Sequence, residues 1–177
     1  MARDVSYEFD PFELAGVSRE DVQDPDAVLE SVASYVQSQV LDDTGRGISA
    51  VYGTKWSGLN KDYKKTKQAK GGAPVANLEL FGDMLLAVKT ETKTNTVRIF
   101  VEDDQSDKAD GHNNHSGESS LPLRRFIPAE SETFRSGINK EIISIVKEAV
   151  KEGPSLTEQA LEELVNEGLT VGLRRES

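Results

Sequence analysis

The sequence predicts an α+β fold, a small antiparallel sheet packed against helices with long loops that a partner orders. Three observations carry this. Residues 4–10 alternate, with Val5, Tyr7 and Phe9 on one face and Asp4, Ser6, Glu8 and Asp10 on the other, the period of a half-buried strand. Val88, Thr90 and Thr92 alternate with Lys89, Glu91 and Lys93, and beyond Thr94-Asn95 a second run sets Val97, Ile99 and Val101 against Arg98 and Phe100; two such runs across a short polar turn read as a hairpin. Apolar residues recur at helical spacing in two longer stretches, around residues 24–41 and between residues 128 and 151.

The first strand ends at Pro11, and residues 11–23 read as a connector. Asp24-Pro25-Asp26 opens a helix, with Asp24 as N-cap, proline at the first helical position and acids where the helix dipole favours them. Val28, Leu29, Val32, Val36 and Val40 carry it to about Leu41. Residues 45–72 show no sustained period and are punctuated by Gly45, Gly47, Gly53 and Gly58, so they read as a long loop. Val75, Leu78, Phe81 and Leu85 predict a short buried helix over 75–86 that contains Gly82. Residues 102–120 are acidic, rich in Asn, Gly and Ser and nearly free of apolar groups, which predicts a mobile loop. Residues 121–127 are expected to return as an edge strand. The next helix carries Phe134, Ile138, Ile142, Ile145, Ala149 and Val150, and Gly153-Pro154 ends it. Ser155-Leu156-Thr157-Glu158 is a capping box for a last helix. The chain thus divides into one α+β domain over residues 1–152 and a C-terminal helix and tail over 153–177.

Composition excludes several functions. With 177 residues there is material for one core of ordinary size. Cysteine is absent, which removes disulfides, thiol nucleophiles and cysteine-held metals and suits a reducing compartment. No apolar run approaches the roughly 18 residues of a membrane span, and the polar opening Met-Ala-Arg-Asp-Val-Ser-Tyr-Glu does not resemble a signal peptide. The net charge of −10 argues against a general nucleic-acid binder. That charge is blocked along the chain. Residues 1–43 hold eleven acids against Arg3 and Arg19, residues 55–70 hold six lysines against Asp62, and residues 102–118 hold six acids against Lys108. Such blocks suit copies of one chain docking side by side, or docking on a charged partner ring; the plainer reading of any one block is solvated surface.

Few constellations could carry chemistry. His112 and His115, with Asp107 and Asp110, have metal-ligand residue types, but they sit in a glycine-bearing loop with no rigid frame to aim them. No Gly-x-Ser-x-Gly elbow or phosphate-binding glycine loop is present. Arg124-Arg125-Phe126 is more telling, because guanidinium groups beside an aromatic suit carboxylates at subunit boundaries. The alternative is solvated arginines beside a buried Phe126 and Ile127. Trp56 and Tyr63 are large aromatics in a polar setting; each either folds back on the core or meets a partner.

His112-Asn113, a glycine soon after, and then Pro122-x-Arg124-x-Phe126-Ile127 followed by a helix resemble the C-terminal half of the tailed-bacteriophage virion-morphogenesis proteins, the tail-completion or head–tail joining family. Trp56, Tyr63 and Lys67 match that family's aromatic and Tyr-x-x-x-Lys-like stretch, and Leu78-Glu79-Leu80-Phe81-Gly82-Asp83-Met84-Leu85 is similar to its leucine–glycine–leucine element. The similarity covers roughly residues 25–150, and Arg125 stands where the family has proline.

The resemblance implies a structural virion protein and not an enzyme, with no cofactor and no membrane. It implies a homo-oligomeric ring, expected to be a hexamer, at the neck or upper tail, assembled in the host cytoplasm. There it would complete the tail, join it to the head connector, and meet connector, tail-terminator or tail-tube proteins. The genome would pass through the lumen without base readout. The interface candidates are Trp56, Tyr63, Lys64, Lys65, Lys67, His112, Asn113, His115, Arg124 and Arg125. The competing expectation is a nucleic-acid or regulatory binding module that uses the basic loop from Lys55 to Lys70.

Overall fold

The computed structural model describes residues 5–76, 83–114 and 122–150. It shows the α+β architecture, a three-stranded antiparallel sheet covered by helices. The strands β1 (Ser6–Phe9), β2 (Val88–Thr92) and β3 (Val97–Val101) run in the order β1-β3-β2, so the N-terminal strand pairs with the hairpin's second strand, which is central in the sheet. Tyr7 lies opposite Ile99, and Thr90 opposite Ile99 on the other side. Val97, Ile99 and Val101 are buried, as the alternation of β3 requires.

Helix α1 (Pro11–Ala15) follows β1 at once, where the sequence predicts a connector. Asp10 caps it, its Oδ1 accepting from the Phe12 N–H at 2.8 Å, and Gly16 closes it in the left-handed conformation at φ 65°. A 3-10 turn, Arg19–Asp21, leads into α2 (Pro25–Gly45), which starts as expected but runs past Leu41. Val28, Leu29, Val32, Val36 and Val40 form its buried stripe against β2 and β3.

Residues 45–72 are not structureless: α3 (Lys61–Ala69) occupies the lysine block. The Asn60 Oδ1 accepts from the Tyr63 N–H at 2.8 Å, Asp62 sits in the first turn and Lys67 in the last, an order that suits the helix dipole. The helix expected over 75–86 appears as α4 (Asp83–Leu86); residues 71–76 are not helical, and Leu78, Phe81 and Gly82 lie outside the described residues.

The acidic stretch expected to be a loop folds as α5 (Asp103–Asn113). Its early acids favour the N-terminus of a helix, and Ala109, His112 and Asn113, one face at i, i+3 and i+4, are buried. Residues 122–127 are not an edge strand; the sheet has three strands among the described residues. Helix α6 (Ser136–Glu148) buries Ile138, Ile142 and Val146 and packs on α1 and α2. Val150 then makes an isolated bridge to Val22. The predicted last helix lies in residues 151–177, outside the described residues.

Candidate functional site

Two stretches that the sequence singles out, His112-Asn113 and Pro122 to Ile127, meet in space. Asn113 ends α5, only 1% exposed. Its Oδ1 accepts from the backbone N–H groups of Phe126 and Ile127, each at 2.9 Å, and its Nδ2 donates to the Ile127 carbonyl at 3.0 Å. One position earlier, the His112 carbonyl accepts from the Arg124 N–H at 2.8 Å. The side-chain amide thus replaces the strand neighbour that residues 124–127 lack, satisfying both N–H groups and the Ile127 carbonyl of the fully buried Phe126 and Ile127. The His112 side chain is also buried and bonds to the Pro122 backbone. Burial, reinforced by the charges of Arg124 and Lys108, holds its pKa below the usual histidine value against the opposing effect of that bond.

Helix α3 comes near this unit at Tyr63. The Tyr63 phenol is close enough to Arg124 to act on its charge, while burial lowers the arginine's pKa. Arg124 is 7% exposed, and its Nε is buried with no hydrogen-bond partner. Tyr63, Lys61, Lys64 and Lys65 face solvent. Lys67 does not. It is 2% exposed, and its Nζ donates to the Val75 carbonyl at 3.0 Å, fastening the chain after α3 back onto the helix. Trp56 packs partly on the core; its backbone N–H donates to the Gly47 carbonyl at 2.9 Å, while its buried indole N–H has no hydrogen-bond partner.

Of the interface candidates, Tyr63, Lys64 and Lys65 therefore lie on the surface. Arg125 is partly buried; its Nη1 lies 3.2 Å from Glu132, close enough for an ion pair although the N–H is not aimed for a hydrogen bond. Lys67, His112, Asn113 and Arg124 are within the subunit, and His115 lies outside the described residues. No group of three His, Asp or Glu among the described residues could hold a metal ion. No helix there is long and apolar enough to cross a membrane.

Sequence reasoning missed a second polar cluster. Asp43, 1% exposed in the last turn of α2, receives the Arg135 Nε at 2.7 Å and an Arg46 Nη at 2.8 Å. A carboxylate there opposes the helix dipole and needs cations; that conflict was the available signal. Gly137 belongs to the same arrangement, since a Cβ on it would stand 2.6 Å from the Arg135 guanidinium. Next to this cluster the Ser49 Oγ donates to the Arg125 carbonyl at 2.6 Å, and the Tyr52 hydroxyl donates to Glu132 at 2.6 Å. Burial pushes the Glu132 carboxyl up, but the bonds from Tyr52 and the Ala129 N–H, with the Arg125 charge, outweigh it and lower its pKa. A cleft of about 600 Å³ runs between Asp43, Arg46, Tyr52, Gly53, Arg135 and Gly137. Its charged groups bind one another, which fixes the loop after α2 to the segment before α6.

Comparison with protein-family models, curated proteins and solved structures gives no match for this chain.

Proposed function

We propose that this chain is a structural subunit of a tailed-bacteriophage virion that forms a ring at the neck or upper tail, completing the tail and joining it to the head connector. The observation that carries this reading is the Asn113 contact with Phe126 and Ile127. It turns two short sequence matches, separated by residues 114–121, into one structural unit with a physical reason for both halves. The buried His112-Asn113 pair is there to hold the Pro122-to-Ile127 segment in place. Arg125, the departure from the family pattern, is accommodated beside Glu132.

Asp43, Arg46 and Arg135, and likewise Tyr52 and Glu132, bind one another, and the subunit presents charge outward as lysines on α3 and acids around the start of α2. That distribution suits assembly, with DNA passing through the ring without base readout. Mass photometry of the purified chain with and without tail components tests the reading. A discrete species at a closed multiple of the 19.4 kDa subunit supports it. A chain that stays monomeric in every mixture overturns it.

The second reading, a nucleic-acid or regulatory module, gains from the lysine block being an exposed helical face. It predicts salt-dependent retention of DNA that the assembly reading does not.

A further inference from the structure

The long helix α2 separates two oppositely charged ends of the subunit. It has 21 residues, about 30 Å at the rise of an α-helix. Around its start Glu20, Asp21, Asp24, Asp26 and Glu30 are exposed, with Arg19 bonded to Asp26 and the exposed Lys147 close by at the end of α6, where Gln23 bonds to Ala149. At its other end the backbone of Gly47 lies against Ala76, where a Cβ would meet the Ala76 carbonyl oxygen at 3.1 Å, so the chain that follows α3 is anchored there. The exposed lysines of α3 belong to that end, and so does Arg124, a buried guanidinium beside Tyr63 whose Nε has no partner. In a medium of low dielectric that charge is poorly screened and adds to the field of the lysines in front of it.

We propose that the α3 face of one subunit, Lys61, Lys64 and Lys65 with Arg124 behind them, docks on the acidic start of α2 in a second copy, through Glu20, Asp21 and Glu30. The proposal rests on the ring reading above and names the contact that builds the ring. Charge complementarity selects the geometry. A two-fold dimer through either end would set like charges against each other, whereas opposite ends meet in a head-to-tail contact, which closes into a ring when the rotation between successive copies divides a full turn.

Paired charge reversals test it in the full-length chain. One variant carries Lys61→Glu, Lys64→Glu and Lys65→Glu; the other carries Glu20→Lys, Asp21→Lys and Glu30→Lys. All six side chains are exposed, and the Asp24 cap and the Arg19–Asp26 pair are left intact. Circular dichroism matching the parent establishes that each variant is folded. The expected result in mass photometry is monomer for each variant alone and recovery of the parent assembly in the equimolar mixture. If both variants assemble alone as the parent does, the docking contact is wrong and the ring reading stands. If the parent itself never assembles, with or without tail components, the ring reading fails and the contact with it. Retention of a DNA fragment by the parent at about 150 mM salt, near the physiological range, lost in the lysine variant, also overturns the contact and assigns the face to nucleic acid.

Discussion

Asn113 grips the peptide units around Ile127 from one side chain, accepting from its N–H at 2.9 Å and donating to its carbonyl at 3.0 Å. The same oxygen takes the Phe126 N–H. Few substitutions could preserve that pattern, since it needs one acceptor and one donor at the reach of a short amide.

Asn113→Ala leaves two N–H groups and one carbonyl without their amide partner in the interior. At about 1–3 kcal/mol for each unsatisfied group, the expected loss is roughly 3 kcal/mol or more, read by urea denaturation. A loss below about 1 kcal/mol would contradict the role given to Asn113.

Asp43 balances two arginines at the end of α2. Asp43→Asn removes the buried charge that both share, and about 2–3 kcal/mol of stability goes with it. Arg135→Lys keeps the charge but loses the planar fork, at a cost of about 1 kcal/mol. The order of the two effects in thermal melts is the check, and an Arg135→Lys loss larger than that of Asp43→Asn would show that packing dominates.

Acid weakens the fold through His112 and Glu132. Both have lowered pKa values in the native state, so the unfolded chain takes up protons first and stability falls with falling pH. For His112 the loss begins as the pH drops through the ordinary histidine value of 6.5, and for Glu132 through the ordinary 4.5. His112→Gln flattens the first window in a series of denaturation curves. A wild-type stability that rises between pH 7 and pH 5.5, the range in which histidine changes charge, would reverse the assigned sign.

Gly72 makes room for Lys67, because a Cβ there would lie 2.8 Å from the Lys67 Cγ. Gly72→Ala displaces the buried lysine stem and strains its bond to Val75, costing about 1–2 kcal/mol. Amide exchange speeds up over residues 61–76 while the β2–β3 hairpin is unaffected. Unchanged protection of α3 would mean that the lysine stem shifts freely.

The sequence announced the fold class, three strands, α2 and α6 because each repeats apolar residues at its own period. The elements it concealed are those whose order comes from polar groups. Asp10-Pro11 is the same start signal as Asp24-Pro25, but the five residues of α1 are too few to show a helical period. Helix α3 had an N-cap in Asn60 and a dipole-matched charge order; Lys67 supplied its buried position, and a lysine does not read as core. In α5 the trace was Ala109, His112 and Asn113 on one face, overridden by the acidic surroundings. Asn113 finds its partners thirteen and fourteen residues along the chain, and no local pattern reports that. An edge strand does not form over residues 122–127, because the backbone partners of Arg124, Phe126 and Ile127 are the His112 carbonyl and the Asn113 amide instead of a sheet.

Electron microscopy of the full-length chain mixed with tail tubes tests the assembly account most directly. The account predicts closed rings seated at one tube end, with α3 of each copy against the start of α2 in the next. Tube ends that stay bare, with the chain dispersed as single subunits, would contradict it.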